Sequence, residues 1–85
     1  MRILVTGGAG FLGSSLVELL VVHGHDVTVI DNFWRGQKEN LQRIQKEITL
    51  IEADACLPSS YQSITNPETI DIVYHLAAIN GTKWF

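Results

Sequence analysis

Gly7, Gly8, Gly10 and Gly13 fall within seven consecutive residues, Gly7-Gly8-Ala9-Gly10-Phe11-Leu12-Gly13, and the chemistry such a run can do is to hold a phosphate. Glycines let the backbone turn tightly and approach a ligand closely. A turn that opens into a helix also aims backbone N–H groups and the positive end of the helix dipole at one point. Two dinucleotide registers fit, Gly7-x-x-Gly10-x-x-Gly13 and Gly8-x-Gly10-x-x-Gly13. The run also approaches a triphosphate-binding loop as Gly8-x-x-x-x-Gly13, but that loop needs a lysine next, and Ser14 stands there. Tight turning and close packing alone would explain Gly13 and leave the other glycines without a reason.

Asp31 is the second candidate. It lies eighteen residues beyond Gly13, close to the spacing of about 20 at which an acidic side chain meets an adenosine ribose. A carboxylate there accepts from both ribose hydroxyls and repels a 2′-phosphate, which favours NAD over NADP. Arg35 nearby is the residue type that accommodates a 2′-phosphate and argues the other way. Asp54 closes a later apolar run as Asp31 closes an earlier one. By residue type it is equally a ligand-edge carboxylate or an ordinary loop aspartate. His75, inside an apolar run, reads as a packed core or near-core residue. Trp34, Trp84 and Phe85 read as burial against other parts of a protein. The single cysteine, Cys56, has no partner for an internal disulfide, no activating cation beside it and no metal-ligand set around it.

The elements that must position these residues follow from hydrophobic pattern. Residues 2–6 are a nearly continuous apolar run, as in a strand buried on both faces. Leu12, Leu16, Leu19 and Leu20 fall on one face of a helix predicted over Leu12 to His23, with Gly24 as its C-cap. Val27-Thr28-Val29-Ile30 predicts a strand stopping at Asp31. Gln37 to Lys46, with Leu41 and Ile44 three apart, predicts a short and mostly exposed helix. Ile48 to Ile51 gives a third strand. The turn-rich stretch around Pro58 and Pro67 leaves room for one short helix near Tyr61 to Ile64, and Asp71 to Leu76 gives a fourth strand. This alternation predicts an α/β fold, an incomplete Rossmann-type doubly wound parallel sheet (β-α-β-α-β-α-β) in the order 3-2-1-4. The fourth strand would then be an open edge carrying Ile72, Tyr74 and Leu76. Such an edge invites pairing with other chains and suggests the N-terminal piece of a longer protein.

Composition narrows the function classes. Eighty-five residues, 46% of them apolar, describe one globular unit with a small core. The net charge is −3, and the basic residues Arg2, Arg35, Lys38, Arg43, Lys46 and Lys83 form no cluster, so nucleic acid is not an expected partner. The apolar run after Met1-Arg2 ends at Thr6-Gly7, short of the roughly 7–15 residues of a signal-peptide core. The run Leu16 to Val22 contains Glu18 and falls far below the ~18 residues of a membrane span. A soluble, cytoplasmic protein with no membrane partner is expected.

With Thr6-Gly7-Gly8-Ala9-Gly10-Phe11-Leu12-Gly13, Asp31-Asn32-Phe33-Trp34-Arg35-Gly36, Asp54 and His75-Leu76-Ala77-Ala78 together, the chain resembles the extended short-chain dehydrogenase/reductase family. Within it, the chain is similar to the NAD-dependent nucleotide-sugar epimerases and dehydratases. The resemblance spans essentially all of residues 1–85 but only the opening part of a family member, which makes 1–85 the N-terminal part of a NAD-binding Rossmann domain. It implies that Gly7, Gly10 and Gly13 form the pyrophosphate turn, with Phe11 and Leu12 offering backbone N–H groups. It further implies that Asp31 and Asn32 bind the adenosine ribose side, with Arg35 and Gly36 in the same loop. Asp54 would bind the adenine amino group and Ala55 would add backbone contacts. Leu76, Ala77 and Ala78 would line the path to the nicotinamide, and Asn80 to Phe85 would begin the loop leading to the substrate. A nucleotide-sugar is the implied substrate, and a homodimer the common assembly.

One family feature is absent. Catalysis in the family uses Tyr-x-x-x-Lys with a Ser or Thr, the tyrosine acting as general acid/base. Here Tyr61 is followed four places on by Thr65, and Tyr74 by Ala78. The chain by itself is therefore expected to be inactive, with no catalytic residue of its own. A noncatalytic NAD(P)-binding or interaction module is the alternative, and an atypical NADP sensor a third.

Overall fold

The computed structural model describes residues 1–7, 9–32, 38–54 and 57–76. Four strands, β1 (Arg2–Thr6), β2 (Asp26–Asp31), β3 (Ile48–Glu52) and β4 (Ile72–His75), form one sheet in the order β3-β2-β1-β4. All three pairings are parallel. Helix α1 (Phe11–Val22) joins β1 to β2, and a 3₁₀ segment, Lys38–Glu47, precedes β3. The expected sheet and its order are both present. No helix among the described residues is long and apolar enough to cross a membrane.

The apolar strands are explained by two-sided burial. Side chains alternate between the faces of a strand. Ile3, Val5, Val27 and Val29 pack on one face with Val17 of α1 and with Leu41 and Ile44 of the 3₁₀ segment. Leu4 and Ile30 pack on the other face with Ile64, from the connection between β3 and β4. Each such side chain taken fully from water contributes about 1.5–3 kcal/mol. The connections therefore lie on opposite faces of the sheet on either side of β1. Strand order reverses between β1 and β4, and in open α/β sheets ligands bind in the crevice at such a point, beyond the carboxyl ends of the strands.

Several local features differ from the pattern-based reading. Leu12 and Leu19 are exposed (76% and 54%), and α1 buries Gly13, Ser14 and Val17 instead. The helix is apolar around most of its circumference, so leucine spacing does not single out a face. The small residues Gly13 and Ser14 bring its first turn down onto the sheet, and the Ser14 hydroxyl donates back to the Phe11 carbonyl (3.0 Å). The helix ends as expected. Gly24 has φ 85°, and the Gly24 and His25 N–H groups bond to Val21 and Leu20 carbonyls, a Schellman closure.

The segment Lys38–Glu47 is 3₁₀ rather than α. At three residues per turn, positions three apart eclipse, so Leu41 and Ile44 share the buried side while its other described side chains are exposed. In place of a helix over Tyr61 to Ile64 there are two 3₁₀ turns, Pro58–Tyr61 and Pro67–Thr69, each started by its proline. Ile64 lies between them and anchors the connection to the sheet. β4 is a sheet edge with Val73 54% and Tyr74 36% exposed, while Ile72 and Leu76 are half-buried against the core.

At the end of the sheet away from the glycine turn, Arg2 ties the connection to β1. Its Nη1 donates to the Asn66 carbonyl (2.7 Å) and the Thr69 hydroxyl (2.6 Å). Its main-chain N–H donates to Asp71 (2.9 Å). Asn66 is in the left-handed region at φ 54°, and Arg2 holds the carbonyl of that residue. The 3.8 Å contact of Arg2 with Asp26, itself 69% exposed, adds little, as exposed ion pairs do. Arg2→Ala is expected to destabilise the fold by about 1–2 kcal/mol, on the order of two charged-donor hydrogen bonds in a solvated setting. Urea unfolding of the two proteins measures this as a lower midpoint at unchanged slope.

Candidate cofactor site

The carboxyl ends of the strands finish level. Thr6 is in register with Ile30 and His75, and Asp31 with Glu52. One further backbone bond extends each pairing: Gly7 N–H to the Ile30 carbonyl (2.8 Å), Ala53 N–H to the Asp31 carbonyl (3.1 Å) and Leu76 N–H to the Thr6 carbonyl (2.9 Å). The chain thus leaves the sheet three times at one level. The glycine turn, Asp54 and Leu76 are delivered to the same edge.

Within the turn, Gly7 has φ 76°, where a side chain costs about 1–2 kcal/mol. Gly10 is different. Its backbone is ordinary extended (φ −74°, ψ 174°). Among the described residues, a methyl group added there would meet only the Gly7 carbonyl oxygen, at a normal 3.5 Å. Neither its backbone nor packing among the described residues requires glycine at position 10, so its bare Cα leaves space clear beside the turn. Gly10 is also the N-cap of α1, without a capping side chain, and no acidic residue stands in the first helical turn. The first N–H groups of a helix have no partner within it. Those of Phe11, Leu12 and Gly13 stand beside the clear space, and the Phe11 and Leu12 side chains are 83% and 76% exposed.

Asp31 is buried, 6% exposed, and its Oδ2 accepts the Ala9 N–H at 2.9 Å. It therefore braces the glycine turn as well as closing β2. A carboxylate has about four acceptor sites, so this bond is compatible with further bonds to ribose hydroxyls. Asn32 follows and is exposed. Asp54 is half-buried. Its carbonyl accepts the Leu57 N–H (3.1 Å) and the Ser60 hydroxyl (2.5 Å), which fixes the start of the loop. Thr6 is fully buried, and its Oγ1 shares a 2.7 Å hydrogen bond with His75 Nδ1 across β1 and β4. His75 itself is exposed rather than packed in a core, because β4 is the sheet edge. Arg35, Gly36, Ala55, Ala77 and Ala78 lie outside the described residues, as do Trp34, Cys56, Trp84 and Phe85.

The profile described as "NAD dependent epimerase/dehydratase family" matches residues 3–85. The chain belongs to this family. Among curated family relatives, UDP-N-acetyl-alpha-D-glucosaminuronate decarboxylase of Bacillus cytotoxicus is 43% identical over 82 residues, 96% of this chain and 25% of that protein. Among solved structures, UDP-glucose 4-epimerase of Thermotoga maritima with UDP-glucose superimposes with a TM-score of 0.77 at 38% identity. The Thermus thermophilus UDP-glucose 4-epimerase in complex with NAD superimposes with a TM-score of 0.75 at 36% identity. Each structural match covers 89% of this chain and 24% of the other. The chain therefore spans about a quarter of the length of these family members.

Three residues of the site escaped the sequence reading. Ala9 carries the contact with Asp31, Thr6 holds His75, and Asn40 donates from Nδ2 to the Ala9 carbonyl (2.7 Å). Asn40 had no local signal: it is an exposed residue of its segment, and its contact with Ala9 spans 31 positions.

Proposed function

We propose that this chain is the N-terminal, NAD-binding part of an enzyme that epimerises, dehydrates or decarboxylates a nucleotide-linked sugar. The observation that carries the reading is Gly10. A position that needs no glycine for its own conformation, or for packing among the described residues, leaves an open surface at the N-terminus of α1, beside a buried carboxylate. That surface fits a pyrophosphate, and the carboxylate fits an adenosine ribose. Bound NAD would supply hydride transfer to and from the sugar.

The residues of this chain bind and orient. Gly7, Gly10 and Gly13 shape the pyrophosphate turn, and Phe11 and Leu12 donate backbone N–H groups to it. Asp31 and Asn32 take the ribose, with Arg35 and Gly36 in the loop beyond. Asp54 and Ala55 take the adenine, and Leu76, Ala77 and Ala78 lead toward the nicotinamide. No residue in 1–85 forms the Tyr-x-x-x-Lys pair, so the proton step on the sugar hydroxyl belongs to residues outside this chain, and 1–85 alone is inactive. A homodimeric enzyme of the cytoplasm completes the reading, consistent with a single cysteine.

Calorimetric titration of the protein from its complete natural reading frame with NAD and NADP tests this. NAD is expected to bind at least about tenfold more tightly, a difference of roughly 1.4 kcal/mol set by Asp31 against a 2′-phosphate. Tighter NADP binding would overturn the role given to Asp31, and binding of neither would overturn the site.

A further inference from the structure

We propose that Asn40 is a positioning residue for the phosphate-binding turn, acting through the peptide plane between Ala9 and Gly10. The two ends of that plane are tied to different parts of the molecule. Its carbonyl accepts from Asn40 Nδ2 at 2.7 Å, and its N–H donates to the Gly7 carbonyl at 3.2 Å. The preceding peptide is tied as well, by the Ala9 N–H to Asp31 Oδ2 bond at 2.9 Å. A trans peptide is planar, so bonds at both ends leave it no rotation. This plane sets the direction in which Gly10 enters α1 and therefore the aim of the first helical N–H groups.

Asn40 reaches Ala9 across 31 positions of sequence. Its reach is fixed because its neighbour Leu41 is 1% exposed and locked in the core with Ile44. Ala9, fully buried, is thus held at its N–H by Asp31 and at its carbonyl by Asn40. The residue type matches the task. The acceptor is a carbonyl, so the partner must donate, and a neutral amide does so without placing a second negative charge beside Asp31. The clasp links the ribose-binding carboxylate to the pyrophosphate turn through one residue, which is a role Asn40 has without touching the cofactor. The inference rests on the NAD reading above.

The test uses Asn40→Asp and Asn40→Ala in the protein from its complete reading frame. Asp has nearly the shape of Asn, but its ionised form cannot donate. Both variants are expected to bind NAD about 3–10-fold more weakly, the effect of one hydrogen bond. Both should bind adenosine, which lacks the pyrophosphate, as the natural protein does, and both should exchange the Gly10 amide proton, the N–H of the plane Asn40 holds, faster by NMR. Unchanged NAD affinity in Asn40→Asp, or equal weakening for NAD and adenosine, would overturn the positioning role. If the natural protein binds no NAD, the functional reading fails by itself. The Gly10 amide exchange rate then decides the clasp: acceleration in both variants supports it and an unchanged rate overturns it.

Discussion

The Gly10→Ala protein is expected to fold with the stability of the natural chain, within about 0.5 kcal/mol, and to lose cofactor affinity by about 10–100-fold. The two halves of this expectation have separate causes. The Gly10 backbone lies where any residue is comfortable (φ −74°), and the added methyl meets the Gly7 carbonyl oxygen at an ordinary 3.5 Å. The fold therefore has no reason to object. The methyl does occupy the surface on which a pyrophosphate would lie, and overfilling a close contact costs about 1–3 kcal/mol. Gly7→Ala provides the contrast. At φ 76° it strains the backbone by about 1–2 kcal/mol before any ligand arrives. Thermal unfolding together with NAD titration of both variants separates the effects. A Gly10→Ala protein that bound NAD as well as the natural one would remove the main support for the site.

Asp31 is expected to show a double effect, because it serves the fold and the ligand through the same carboxylate. Asp31→Ala leaves the buried Ala9 N–H without its acceptor, at about 1–3 kcal/mol of stability. It also removes the proposed ribose acceptor, where one hydrogen bond to a charged group is worth about 1.5–3 kcal/mol. NAD affinity should fall by roughly 10–100-fold. A loss of affinity in Asp31→Ala could thus arise from a slackened turn alone. Asp31→Asn separates the causes, since its amide oxygen can still accept from Ala9 while the charge is gone. We expect Asp31→Asn to unfold close to the natural midpoint, to bind NAD more weakly and to narrow the preference for NAD over NADP, because the repulsion of a 2′-phosphate disappears. Unchanged discrimination between the two dinucleotides in Asp31→Asn would defeat the assignment of that preference to the carboxylate.

The chain matches about a quarter of the length of each compared family member.

Much of this protein was legible in local sequence. The strands were legible because burial on both faces demands unbroken apolar runs such as Ile3-Leu4-Val5 and Val27 to Ile30. The order β3-β2-β1-β4 followed from alternation of strand and crossover, and the end of α1 from Gly24. The tight turn between β1 and α1 could be read from the glycine spacing, and the place of Asp31 from the end of an apolar run, since both depend on neighbours a few residues away. The face α1 buries was decided only in three dimensions, because a helix apolar on most sides is oriented by what it meets, and Gly13, Ser14 and Val17 fit the sheet more closely than Leu12 or Leu19. The 3₁₀ form of Lys38–Glu47 was likewise not legible, because Leu41 and Ile44, three apart, share a face in an α-helix and in a 3₁₀ helix alike. The clasp on Ala9 also belongs to the tertiary structure: Asp31 and Asn40 lie 22 and 31 residues away, and side-chain bonds over such separations exist only once the sheet register and the packing of the crossover have been fixed.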